Sequence, residues 1–370
     1  MYNKLKSIKI NSSKLFNKVN CCKVVATWSF RFLSFSIFFI TGTVVAQNKN
    51  AAAIALFNSG QYKKSVDAFT ALIKADKHDT DAYGYRGAAL ERIKNYDGAR
   101  KDFKRLSKWN PQDPRPHFKL GFLWSETEDY FHSIREYTKA IDLDPTYAVA
   151  YNNRGNSEYL VGEEKDAMRD FTAAANADTT YPDPWYNRGH LKMSVDDYHG
   201  AISDFSRAIA LDQSNPDSWF SRAQAYDAIN DTFNAINDYS TTIQIDSGYM
   251  DAYYFRGCDL LEAKDYEGAM NDFSASLSND SSYYWVYYLR GRALDSLGEY
   301  VAAIDDYTHA INMQNDCGPA YLGRGYAYLK LGMKDNACTD LNTAYYYSAG
   351  GRTKELLDKN CGVRVKIYRR

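Results

Sequence analysis

Small and aromatic residues return along this chain every 34 positions, in a register that does not slip between Ala46 and Gly351. Counted in blocks beginning at 46, 80, 114, 148, 182, 216, 250, 284 and 318, position 8 holds Ala53, Gly87, Gly121, Gly155, Gly189, Ala223, Gly257, Gly291 and Gly325. Position 20 holds Ser65, Ala99, Ser133, Ala167, Ala201, Ala235, Ala269, Ala303 and Ala337. Position 24 holds Phe69, Phe103, Tyr137, Phe171, Phe205, Tyr239, Phe273, Tyr307 and Leu341. Between these markers the apolar residues keep helical spacing, as in Tyr151, Gly155, Tyr159, Leu160, Ala167 and Phe171. Two short helices that approach through small residues, with an aromatic ring filling the space between them, make one hairpin per block. The pattern therefore predicts nine helical hairpins and an all-α chain.

The period, the small residues at 8 and 20 and the aromatic at 24 resemble the tetratricopeptide repeat (TPR) family over about 46–351. One departure is position 32, where only Pro111 and Pro145 supply the family's usual proline. Pro114, Pro116, Pro182, Pro184, Pro216 and Pro319 instead fall in the first turn of the next block, where a missing N–H costs little. The resemblance implies a right-handed superhelical solenoid whose first helices line a concave groove, with stacked repeats burying one continuous core. The expected organisation is nine repeats over 47–351 and a C-terminal capping helix over 352–362. The cap rests on RTKELLDKN, in which Leu356 and Leu357 are an apolar pair among polar residues. The last stretch, VRVKIYRR (363–370), is a basic tail that reads as a short strand, a partner-binding segment or an unstructured end.

Composition changes the picture mainly at the N-terminus. Across 370 residues, 45% hydrophobic and 25% charged, the chain is ordinary globular protein with a net charge of −1. Residues 1–46 carry Lys4, Lys6, Lys9, Lys14, Lys18, Lys23 and Arg31 and no carboxylate, and the first acidic residue is Asp67. Without that segment the body has 38 basic and 46 acidic residues, a balance that disfavours a nucleic-acid surface. The basic stretch leads into FLSFSIFFITGTVVA (32–46), which ends in Val44-Val45-Ala46 before Gln47. That order describes a secretory signal cleaved after Ala46. The alternative is a membrane anchor over residues 24–46, although the uncharged run is short for a span of about 20 residues. The expected location is thus the periplasm or cell envelope, with membrane contact only through an uncleaved N-terminal segment. An oxidising compartment makes Cys338 and Cys361 a candidate disulfide holding the last helix, with two buried thiols as the rival reading.

Two charges recur beside the packing residues. Arginine stands at position 7 as Arg86, Arg154, Arg188, Arg222, Arg256, Arg290 and Arg324. Aspartate stands at position 23 of the same blocks as Asp102, Asp170, Asp204, Asp238, Asp272, Asp306 and Asp340. Repeat 1 lacks both (Ala52, Ala68), and repeat 3 has Leu120 with Glu136. Pairing within a repeat leaves the fewest widowed charges, so these read as structural ion pairs between the two helices of a hairpin. The rival is an arginine ladder that reads an acidic ligand.

In the resembled family, positions 2, 5, 9, 12 and 13 of the first helix face the groove. The candidate binding residues are therefore Asn152, Asn156, Tyr186, His190, Phe220, Gln224, Tyr254, Tyr288 and Arg292, with Asn153 and Asn187 at position 6 beside them. Amides can satisfy an extended peptide backbone while aromatic rings cover its side chains. The basic clamp with which some relatives hold a terminal carboxylate is not reproduced. HExxH, GxSxG, a phosphate-cradling glycine loop and CxxC are all missing, and the six histidines show no metal-ligand spacing. No catalytic residue, metal or cofactor is expected. The reading is a non-enzymatic protein–protein interaction scaffold or adaptor of the cell envelope that binds a protein or peptide partner in the groove. Two other readings stay open: an assembly component binding through its convex face or ends, and a module contacting glycan or peptidoglycan.

Overall fold

The computed structural model describes residues 47–348 and 351–362. The signal or anchor expected over 1–46 and the basic tail at 363–370 lie outside the described residues. Every described element is an α-helix. The first six hairpin partners are α1 (Gln47–Asn58), α2 (Tyr62–Ala75), α3 (Thr80–Arg92), α4 (Tyr96–Trp109), α5 (Pro114–Ser125) and α6 (Tyr130–Leu143). Next come α7 (Ala148–Leu160), α8 (Glu164–Ala177), α9 (Asp183–Ser194) and α10 (Tyr198–Leu211). These ten helices belong to one compact unit that ends at Asp212, and a second begins at Gln213. The second holds α11 (Pro216–Ala228), α12 (Thr232–Ile245), α13 (Met250–Glu262), α14 (Tyr266–Asn279), α15 (Tyr284–Leu297), α16 (Tyr300–Met313), α17 (Gly318–Lys330), α18 (Lys334–Ser348) and α19 (Gly351–Asn360).

Each hairpin is closed by the residues that set the register. A Cβ built on Gly189 would stand 2.7 Å from the Phe205 ring, and one on Gly155 would stand 2.9 Å from Phe171. The rings at position 24, from Phe69 to Tyr307, are buried to within 1%. A small residue at position 8 is thus the condition for seating an aromatic between the helices, and repeats 1 and 6 use Ala53 and Ala223 while still burying Phe69 and Tyr239 completely.

The turn inside each hairpin has a fixed shape. Position 15 is left-handed in all nine repeats: Gly60, Gly162, Gly298 and Gly332, but also Lys94, Glu128, Asp196, Asn230 and Lys264, with φ of 59–66° in these five. The next residue caps the second helix where it is Asn95, Asp129, Asp197, Asp231 or Asp265, whose side chain accepts a backbone N–H three residues on. Pro114 and Pro216 open α5 and α11 at positions that have no helical N–H to lose.

The last hairpin is covered by α19, which buries Leu357 and Thr353. Cys338 on α18 is bonded to Cys361 just past α19, with an S–S distance of 1.98 Å and a sequence separation of 23.

Candidate binding site on the first helices

At position 7 the guanidinium groups make three kinds of contact. In all seven repeats Nε and Nη2 donate to the two oxygens of the position-23 aspartate at 2.6–2.9 Å, from Arg86–Asp102 to Arg324–Asp340. The free Nη1 of Arg86, Arg154, Arg188, Arg256, Arg290 and Arg324 donates to a hydroxyl at position 25 of the preceding repeat: Thr70, Thr138, Thr172, Ser240, Ser274 and Thr308. The flat face of the arginine lies over the ring at position 4, at 4.7 Å for Arg188 on Trp185 and 5.6 Å for Arg154 on Tyr151. The aspartates are buried at 2–5% exposure. In those six repeats every guanidinium nitrogen is engaged within the fold, and in the seventh Arg222 commits Nε and Nη2 to Asp238.

Repeat 3 departs from this set at every position together. Leu120 replaces the arginine, His117 replaces the position-4 ring, and Lys104 stands where the preceding repeat would offer a hydroxyl. Glu136, at position 23, instead takes His117 Nδ1 at 2.7 Å and Lys139 Nζ at 2.7 Å. Burial pushes the Glu136 carboxyl up, but these two hydrogen bonds outweigh it and hold the group below its ordinary range. A second buried pair crosses between repeats 2 and 3: Lys119 Nζ reaches Glu91 Oε2 at 3.2 Å, both nearly removed from solvent.

The amide-bearing residues in the first unit meet inside the fold. Asn187 Nδ2 donates to Asn152 Oδ1 at 2.9 Å, and Asn152 Nδ2 donates to the Tyr181 hydroxyl at 3.2 Å. Asn152, Asn153, Asn156 and Asn187 are each at 0% exposure. Tyr186 and His190 form an edge-on pair at 4.4 Å, and His190 leans on Phe205 at 5.0 Å. Desolvation lowers the imidazole pKa well below its ordinary value, so His190 is neutral at physiological pH. In the second unit Phe220 is buried beside Tyr239, Tyr249 and Phe255, while Gln224 and Tyr254 are also buried. Tyr288 is half-buried against Trp285, and Arg292 is exposed with its guanidinium over the Tyr288 ring. Of the eleven candidate residues nine are thus buried, Tyr288 is half-buried and Arg292 is exposed. Among these amides Asn187 and Asn152 join one repeat to the next, while Asn152 also holds Tyr181 within its own repeat and Asn153 is buried with neither of its polar side-chain atoms hydrogen-bonded.

One ionisable group sits awkwardly among them. Glu158 is buried on α7, with Arg154 Nε 3.7 Å from its Oε1. Desolvation and the neighbouring Asp170 charge push its pKa up to about 8, and Arg154 offsets them only in part. Sequence reading missed Glu158, the Lys119–Glu91 pair and the hydroxyls at position 25. The hydroxyls had a signal, since Thr or Ser precedes all seven arginines and Lys104 precedes the leucine.

Comparison with known proteins agrees with the repeat. Tetratricopeptide repeat family models match residues 50–114 and 186–248, and a second model of the same description matches 286–317 and 318–349. The chain belongs to the tetratricopeptide repeat family. Among solved structures it is similar to the C-terminal part of a TPR repeat-containing protein from Cytophaga hutchinsonii, with 20% identity and a TM-score of 0.53, covering 67% of this chain and 98% of that one. It is also similar to MamA (25% identity, TM-score 0.42, 44% and 95% covered). A further likeness is to YrrB, described as a TPR protein with an unusual peptide-binding site (20%, 0.43, 56% and 97%). No curated protein matches the chain. The Cytophaga likeness shows the fold, and TPR hairpins are typical of protein-interaction scaffolds. Among the described residues no three His, Cys, Asp or Glu side chains gather as a metal site, and no helix is long and apolar enough to cross a membrane.

Proposed function

We propose that this TPR chain is a non-catalytic adaptor that docks a protein or peptide partner along the first-helix faces of its repeats. The observation that carries this reading is the saturation of the recurring charges. Seven arginines and seven aspartates neutralise one another inside the hairpins, so the elements that repeat serve the fold. Discrimination then falls to what differs from repeat to repeat on the first helices. The aromatic and amide residues at positions 5 and 9 form a rigid buried floor, and half-buried Tyr159 and Tyr288 with exposed Arg292 are the parts that reach solvent. The basic N-terminal segment with its apolar run supports export to the cell envelope as the setting.

The test is capture of partners from a native envelope extract by the tagged full chain, beside a Tyr288→Ala, Arg292→Glu variant shown by circular dichroism to fold equally. Loss of a specific partner by the variant supports first-helix docking. A second reading, assembly through the outer helices, is favoured by Phe131 and Phe233, both at position 18 and 74% and 75% exposed. Equal capture by both proteins, abolished by Phe131→Ser or Phe233→Ser, would establish that reading instead.

A further inference from the structure

The break in the arginine pattern at repeat 3 coincides with a cleft of about 670 Å³ between α4 and the α5–α6 hairpin. Its α4 wall presents Lys101, Lys104 and Lys108, spaced i, i+3 and i+7 on one helix face, and its α6 wall presents Arg135 and Lys139. Among the described residues no ion pair engages Lys101, Lys104, Lys108 or Arg135, and all four are exposed. One end is closed by a stack in which Trp124 lies between the Arg100 guanidinium at 4.2 Å and the His132 ring at 4.7 Å. The two carboxylates of the cleft are already spent: Asp97 pairs with Arg100, and Glu136 with His117 and Lys139. A strongly cationic recess thus stands on a chain whose residues beyond Ala46 carry more acidic than basic groups.

We infer that this cleft is a second docking site, separate from the first-helix face, and that it binds an extended acidic peptide segment. The site exists because the local pattern has been rewritten. With arginine at position 7, the guanidinium would fill the recess and reach for position 25, as it does in six other repeats. Leu120 leaves that space open, and Lys104 at position 25 turns the neighbouring wall from acceptor to cation. His117, Leu120 and Trp124 enter it from the side of α5 that does not carry positions 5 and 9, so the two surfaces do not share residues.

The chemistry favours spread carboxylates over a single phosphate. The cationic residues of the walls stand on helix flanks, and where the lining reaches the first turns of α4 and α6, at Asp97 and His132, those turns are already capped by Asn95 and Asp129. Arg100 has its fork occupied by Asp97, Leu123 O and Thr127, leaving Arg135 as the one arginine without a partner in the cleft. Three lysine point charges set over two turns of α4 (about 10 Å) can meet alternate side chains of a strand-like peptide, which face one way at about 6.6 Å intervals. Exposed charges attract mainly through long-range complementarity, so binding should weaken as salt rises.

The experiment uses the full chain and a fluorescein-labelled peptide with six alternating Glu and Asp residues, followed by fluorescence anisotropy at 50 mM and 300 mM salt. The expected result is saturable binding that falls at least tenfold with Lys101→Glu, Lys104→Glu, Lys108→Glu and with the single change Arg135→Glu, each protein melting as the parent does. Tyr288→Ala, Arg292→Glu should bind the peptide unchanged, so this site can stand or fall without the first-helix reading. Binding unaffected by either cleft variant would overturn the inference. So would binding of tripolyphosphate at this cleft with no binding of the acidic peptide.

Discussion

Arg188 Nη1 donates to Thr172 Oγ1 at 3.1 Å, a contact from the first helix of one repeat to the second helix of the repeat before it. The same guanidinium holds Asp204 at 2.7 Å through its other two nitrogens. One side chain therefore fixes both the angle within a hairpin and the seating of that hairpin on its neighbour. Thr172→Val keeps the shape and removes the acceptor, leaving a half-buried N–H without its partner. The expected cost is about 1–2 kcal/mol, read as a lower denaturation midpoint with an unchanged slope.

Glu158 gives the fold a pH dependence of definite sign. Its folded pKa of about 8 lies above the 4.5 of the unfolded chain, so the folded state binds the extra proton between these values. Stability from this group is intact below pH 4.5 and is lost as pH rises through 8. Glu158→Gln should flatten that slope and raise the melting temperature at pH 8, by an amount of order 3 kcal/mol in stability and near zero at pH 4. Parallel melts from pH 4 to 8.5 check it.

The left-handed turn residues are a reserve of stability. Glu128 sits at φ 59° and Lys94 at φ 61°, where a side chain costs energy that glycine does not. Glu128→Gly should stabilise by about 0.5–1 kcal/mol, against the usual direction for a glycine substitution. A chemical melt in which the variant is weaker than the parent would contradict this.

Reducing the Cys338–Cys361 bond should loosen α19 before the rest of the chain. Its loop of 23 residues corresponds to about 3 kcal/mol of entropic restraint, on a model in which the bond acts on the unfolded ensemble. Hydrogen exchange should rise selectively over 351–360 on reduction or in Cys361→Ser, because Thr353 and Leu357 are the main residues that α19 buries.

The parts of this fold that depend on repetition were legible in the sequence. Gly155 beneath Phe171 recurs at a fixed spacing, and nine coincident matches leave one fold that satisfies them. What depends on a single position was not. Nothing in the pattern distinguishes an asparagine facing solvent from Asn187 facing Asn152, since helical period places a residue on a face but does not say what the next repeat lays against it. The Lys119–Glu91 pair is invisible for the same reason, as each partner occurs once in its register. Glu158 is hidden because its high pKa comes from burial and from Asp170, both properties of packing.

The central claim is that the recurring arginines and aspartates hold the fold and do not read a ligand. A double-mutant cycle over Arg154→Leu and Asp170→Ala, with stability and partner capture measured on the same four proteins, tests it most directly. The account predicts that Asp170→Ala alone costs about 3–5 kcal/mol, because it strands a largely buried guanidinium. The double variant should be milder than the two single costs added, with partner capture retained wherever the protein is folded. Additive stability effects, together with capture lost in a folded Arg154→Leu chain, would contradict the account.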